Sequence, residues 1–235
     1  MKFILMDNSI RKQEQQKVWE RFFKQQTFNL TKDKVAIQWM DAWNDMQLTS
    51  EMPLPIDLMV PNWTIVPILG KLNEKDFFYY LSQGCFPLNL NVRDIDEFTY
   101  LEERDFLHDC MHLPHLHIPQ MSAFLKTMGL FYCNYMVDSD EARQVMSNIY
   151  WFAVEFSTIS QLGQIKALGA GIISSYDELN YVTSGSADVR PWDIEAVASE
   201  DDYPTASFQT RYYYLNSLEE FDTIIPWLFA NYSKY

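Results

Sequence analysis

Cysteine is scarce in this chain and does not pair by pattern. Cys85, Cys110 and Cys133 are the only three in 235 residues, an odd number with no C-x-x-C spacing. That excludes a disulfide framework, points to a reducing compartment, and leaves the three as buried small hydrophobes. Basic residues are also few: 18 Lys and Arg stand against 32 Asp and Glu, a formal charge of −14 with a pI near 4.6. Such a field repels nucleic-acid phosphates and anionic membrane surfaces, so neither is expected as a partner and small molecules are. No run approaches the roughly 20 apolar residues of a membrane helix, and the apolar start before Asp7 is too short for a secretory signal core. The expected location is cytoplasmic. Internal repeats, low-complexity tracts and Gly/Ser linkers are missing as well, which leaves one domain over 1–235 as the expectation. Histidine is limited to four residues, and all four fall within HDCMHLPHLH, residues 108–117.

What is abundant is core material: 48% of residues are apolar and 16% aromatic, enough for a substantial interior. Ser9 can cap a helix running to about Phe28, with Ile10, Val18, Trp19, Phe22 and Phe23 near one face. Further helices are expected at 33–47, 74–84, 105–112, 120–128, 139–160 and 217–230. The proline-rich TSEMPLPIDLMVPNW should be extended and lead into a short strand at WTIVPI. Weaker strands are expected near 165–168 and 210–215, and SGSADVR and ASEDDYP read as surface loops. Small sheets beside many helices make this an α+β, mainly helical domain.

His108 and His112 are four apart, a spacing that on a helix puts two imidazoles on one face, about 5–6 Å apart at Cβ, from where they can converge on one ion. A buried, hydrogen-bonded His beside a surface one fits the same spacing. An oxygen-activating iron site needs two His and one carboxylate on one face of the ion, with the other positions open. Glu155 in YWFAVEF lies within an apolar, aromatic run, where an unpaired charge is costly and a bound cation would offset it. The alternative for Glu155 is the exposed stripe of a helix.

Three separated motifs, FPLNLNVRDIDEFTYLEERDFLHD (86–109), IYWFAVEF (149–156) and KALGAGIISSYDEL (166–179), occur in the order found in the tetrahydropterin-dependent aromatic amino acid hydroxylases. The chain resembles their catalytic domain, above all the short bacterial phenylalanine hydroxylases, from about Val18 to Tyr213 and most strongly over 63–181. The resemblance implies a soluble iron(II)- and tetrahydropterin-dependent monooxygenase, with an aromatic amino acid and dioxygen as partners and phenylalanine as the first-choice substrate. It implies His108, His112 and Glu155 as iron ligands. It places Arg93 on the substrate carboxylate with Asp105 as its support, Pro114 and Trp151 beside the substrate ring, and Ser174 near the bound amino acid. VPILGKLNEKDFF resembles the pterin loop, with Gly70 and Leu72 along the cofactor edge, Phe77 against its ring, and Asp109 touching it through water. The absence of a regulatory domain and of a heptad-patterned tail implies a monomer.

The chain departs from the family pattern at several points. H-[E/D]-x-x-G-H-x-P becomes HDCMHLP, one residue shorter and without glycine. His112 with Pro114 is the best match, since the spacing onward to Gly129 is again the family's, and His115 is the competing second ligand. Lys71 replaces a usual apolar residue, Leu101 stands where a substrate-binding hydroxyl can occur, and Arg104 replaces a common proline. Two rival readings follow. In one, HDCMH is a variant of the zinc-hydrolase H-E-x-x-H helix with Asp109 as general base. In the other, the shortened loop marks a degenerate hydroxylase fold that serves as a non-catalytic binding protein.

Overall fold

Apolar residues spaced one helical turn apart fold the first part of the chain into two helices. A computed structural model describes residues 8–51, 58–94, 104–136, 138–201, 203–205 and 207–233, with side chains for all of these except 8–12, 14 and 27. Helix α1 (Asn8–Asn29) buries Val18, Trp19 and Phe22. Asn8 and Ser9 already lie within it, so the expected cap at Ser9 is not observed; the Ser9 side chain lies outside those described. Helix α2 (Ile37–Asp45) buries Trp39 and Trp43, one turn apart with rings stacked at 5.3 Å. Residues 52–57 of the proline-rich segment expected to be extended lie outside the described residues, as does Leu101.

Strand β1 (Thr64–Ile68), helix α3 (Glu74–Ser82) and strand β2 (Cys85–Asn89) form a parallel two-stranded unit. Asn73 caps α3 by accepting from the Asp76 amide. The sequence reading missed β2 because Pro87 stands in its middle. With only one pairing partner, β2 can direct the edge that lacks an N–H away from the ladder.

The helix expected at 105–112 is two short ones, α4 (Phe106–Cys110) and α5 (Leu113–His117). Pro114 has no amide hydrogen to continue a helix from α4, but it is tolerated in the first turn of a new one. Helix α6 (Pro119–Phe131) runs into a wide turn over Tyr132–Met136, and α7 (Asp140–Tyr150) into another over Trp151–Glu155. The helix expected to reach residue 160 therefore stops at Glu155. The β-branched stretch beyond it becomes strand β3 (Ser157–Gln161), followed by β4 (Gln164–Ala167).

Short helices α8 (Ala170–Ser174) and α9 (Tyr176–Thr183) come next, then β5 (Val189–Pro191), α10 (Ile194–Ala198), β6 (Tyr212–Leu215) and α11 (Phe221–Tyr232). The second sheet has the order β4-β3-β6-β5, with β3 antiparallel to β4 and the other pairs parallel. SGSADVR is thus a loop only until β5 begins. The architecture is α+β and mainly helical, as expected. Among the described residues, no helix is long and apolar enough to cross a membrane.

Candidate functional site

Local chain geometry brings the three expected ligands together. Asp105 caps α4 by accepting from the His108 amide at 2.9 Å. After α4, Met111 and His112 donate to the carbonyls of His108 and Asp109, three residues back. This tight turn replaces the continuous helix and keeps the two rings one turn apart, with centroids 5.2 Å from each other. Glu155 arrives on the wide turn, where the Phe156 amide reaches the Trp151 carbonyl five residues back at 2.8 Å. Gly169, at the start of α8, presses on the back of that turn. A Cβ there would lie 2.2 Å from the Glu155 carbonyl oxygen, so only glycine fits.

His108 Nε2 and His112 Nε2 lie 3.1 and 3.3 Å from Glu155 Oε2, and 3.3 Å from each other. All three residues are buried, and they form the one such metal-binding group among the described residues. Neither the exposed helix stripe for Glu155 nor a surface position for one His is observed. Ser174 Oγ donates to the Gly171 carbonyl at 3.1 Å, so it meets His108 Nδ1, 3.2 Å away, as an acceptor. That places the His108 proton on Nδ1 and turns the Nε2 lone pair toward Glu155. Burial pushes the His112 pKa down to about 3, which leaves a neutral imidazole at neutral pH. Burial opposes charge on Glu155, but the protonated form of His112, the Arg104 guanidinium and the protonated form of His108 outweigh it and hold the carboxyl well below its usual range. Glu155 Oε2 has no hydrogen-bond partner among the described residues, although two lone-pair nitrogens face it. A cation at their meeting point is the group this donor set fits.

His115 lies outside this group of three. Its Nε2 is 2.8 Å from the Leu168 carbonyl, to which it donates, and burial holds its pKa at about 4. His117 is half-buried and lines a separate surface pocket with Asp45. HDCMH spans a break between helices, unlike the single helix of the zinc-hydrolase reading.

Behind His108 lies a closed network. Arg93 donates from Nε and Nη2 to the two Asp105 oxygens at 2.8 and 2.7 Å, and from Nη1 to the Ser174 carbonyl at 3.4 Å. Pro114 is buried nearby in sequence, in α5. None of Arg93, Asp105, Pro114 and Ser174 lines the pocket in front of the triad.

That pocket, of about 250 Å³, does bring together Gly70, Leu72, Phe77, Asp109, Trp151 and Glu155. Gly70 makes the turn after β1 at φ +78°. The Asp109 carboxylate accepts from the Asn89 amide at 2.6 Å and from Arg104 Nε at 3.0 Å, and burial raises its pKa. Arg104, Tyr150 and Tyr203 are among the lining residues that the sequence does not single out as site residues. Arg104 had been noted only as a replacement for proline. Tyr203 belongs to the supposed surface loop ASEDDYP, yet it stacks on Trp151 at 5.2 Å. An aromatic followed by proline in an otherwise acidic loop was the available signal. Of the cysteines, Cys110 is buried, Cys85 and Cys133 are half-buried, and all are free.

With this geometry in view, residues 57–231 match the family described as biopterin-dependent aromatic amino acid hydroxylase. The chain is 35% identical over 159 residues to tryptophan 5-hydroxylase of Xenopus laevis, covering 67% of this chain and 32% of that protein. It is 28% identical over 214 residues to phenylalanine-4-hydroxylase of Mesorhizobium japonicum, covering 88% of this chain and 76% of that one. The chain spans about a third or less of the length of the animal relatives it matches. A crystal structure of Chromobacterium violaceum phenylalanine hydroxylase with iron(III) and 7,8-dihydrobiopterin shares the fold. It has a TM-score of 0.83 at 24% identity, over 92% of this chain and 81% of that one.

Proposed function

The chain belongs to the biopterin-dependent aromatic amino acid hydroxylase family, and from that premise we propose that it is an iron(II)- and tetrahydropterin-dependent monooxygenase acting on an aromatic amino acid, with phenylalanine as substrate. The observation that carries the reading is the buried convergence of His108, His112 and Glu155 on one point, with Oε2 left without a donor. Phenylalanine is favoured because the bacterial phenylalanine-4-hydroxylases are similar along 88% of this chain, whereas the animal tryptophan and tyrosine hydroxylases align over about two thirds of it. The whole chain, 1–235, is proposed to act as a single catalytic domain.

Bound together, ferrous iron and a tetrahydropterin supply the electrons that activate dioxygen. The chain's own residues bind, orient and exclude water. His108, His112 and Glu155 would hold the metal. Gly70, Leu72, Phe77 and Asp109 take the pterin, whose flat ring suits the aromatic face of Phe77. Trp151 and Pro114 flank the substrate ring. Arg93, held by Asp105 through Nε and Nη2, would turn Nη1 from its long contact with the Ser174 carbonyl to the substrate carboxylate, and Ser174 fixes the tautomer of His108.

The test is anaerobic reconstitution with ferrous iron, then addition of tetrahydropterin, oxygen and phenylalanine, tyrosine or tryptophan, with products identified by mass. Iron-dependent hydroxylation of phenylalanine, coupled to pterin oxidation, is the expected result. Stoichiometric iron without turnover of any of the three would refute the enzyme reading and favour a non-catalytic binding protein. Iron content should be lost in His108→Ala and His112→Ala and retained in His115→Ala and His117→Ala.

A further inference from the structure

The pocket in front of the triad already holds a cation of the protein's own. Arg104 Nη1 lies 3.6 Å from Glu155 Oε1 and its Nε 3.0 Å from Asp109 Oδ1, while its Cζ sits 5.2 Å over the centre of the Phe77 ring. One guanidinium thus spans the proposed metal ligand, the proposed pterin-facing carboxylate and the proposed stacking ring. Its side chain is 29% exposed, and it also lies against the Tyr150 hydroxyl. Of its two carboxylate contacts, the one to Glu155 is the longer and so the easier for another cation to replace. The groups that face Glu155 are His108, His112, His115, Arg104, Asp109 and Tyr150. Only Arg104 among them carries a permanent positive charge.

Resting on the reading of His108, His112 and Glu155 as a metal site, we propose that Arg104 is an internal counter-ion that a divalent metal displaces from Glu155. With the metal absent, the guanidinium offsets part of the charge of two buried carboxyl groups. When a divalent ion reaches the triad, the formal charge of this cluster turns from negative to positive, and Arg104 and the metal repel each other across a partly dry pocket. The residue therefore steadies the metal-free protein and weakens metal binding at the same time. A proline at this position, common in the family, carries no charge and can do neither.

The two opposite effects make the proposal testable with Co(II) as the probe. In the metal-free full-length chain, Arg104→Gln should lower the melting temperature yet bind Co(II) about tenfold tighter or more, as followed by calorimetric titration. Arg104→Lys, which keeps the charge, should bind Co(II) close to the parent value. A residue with a merely structural role would weaken both properties together. In the unmodified protein, Co(II) should speed the reaction of Arg104 with phenylglyoxal, read by peptide mass spectrometry, which gives an answer even if Arg104→Gln does not fold. Equal or weaker Co(II) binding by Arg104→Gln, or a phenylglyoxal rate indifferent to Co(II), overturns the counter-ion proposal while leaving the metal site intact. Failure of both the parent and Arg104→Gln to bind Co(II) overturns the metal site itself, and the proposal with it.

Discussion

Two arginine–aspartate pairs hold α4, one at its cap and one within it, and they differ in nearly everything but composition. Arg93–Asp105 is sealed, with side chains 1% and 5% exposed and two short hydrogen bonds along one edge of the guanidinium. Arg104–Asp109 has one such bond, and its arginine is 29% exposed at a pocket wall. The carboxyl pKa values part accordingly. Burial opposes charge on Asp105, but Arg93 outweighs it and the pKa is lowered. At Asp109, burial prevails over Arg104 and the pKa is raised. A buried ion pair with complete partners is a rigid part, whereas one with incomplete partners at a cavity can change partners. The sealed pair orients His108 through the α4 cap and Ser174, and the open pair answers to what enters the pocket.

The largest effect should come from breaking the sealed pair. Arg93→Ala leaves Asp105 buried without its cation and should cost about 3–5 kcal/mol in urea unfolding. Restoring an apolar fit with Arg93→Met and Asp105→Leu together should recover much of that loss. The repaired protein should still bind phenylalanine at least tenfold more weakly, since the carboxylate contact is gone. A repaired protein with the parental KM would show that Arg93 serves the fold alone.

Glu178 shows what a buried carboxyl becomes with no arginine beside it. Fully buried, it accepts from the Tyr212 hydroxyl at 2.7 Å and the Gln209 amide at 3.3 Å, and burial raises its pKa from 4.5 to about 7 against those two donors. The folded state therefore holds this proton more tightly than the unfolded chain does. Its contribution to stability is complete below pH 4.5, declines as pH rises, and is lost above about 7. On this account the parent should lose on the order of 3 kcal/mol between pH 4.5 and 8 from this group. Glu178→Gln should flatten that slope in pH-dependent urea melts, and an unchanged slope would assign the titration elsewhere.

The smallest effect should come from the open pair. Asp109→Asn keeps an oxygen for the Asn89 amide and loses only the charge facing Arg104, so it should cost about 1 kcal/mol or less. A loss as large as that of Arg93→Ala would erase the distinction between the sealed and the open pair.

Much of this was legible in the chain itself. The motif order, the four-residue step from His108 to His112, and Glu155 within an apolar run suffice to nominate the three ligands and the family, because spacing and residue type carry that information. The two histidines that the four-residue step singles out do converge in the structure, though no continuous helix joins them. Pro114 ends one helix and starts another, and backbone bonds three residues back keep the rings in step. The β-branched run after Glu155 was read through as helix because periodicity is weak in a short buried strand.

Residue spacing along the chain determined which side chains could bind a cation and which elements could carry them. Only the tertiary structure decided which histidine faces Glu155 beside His108, because the Leu168 carbonyl that takes the Nε2 of His115 comes from 53 residues away. It alone decided that Arg93 is sealed while Arg104 faces the pocket, and that Tyr203 leaves an acidic loop to stack on Trp151. Burial and partner choice are set by segments distant in sequence, and a charged side chain takes its role from whatever packing brings beside it.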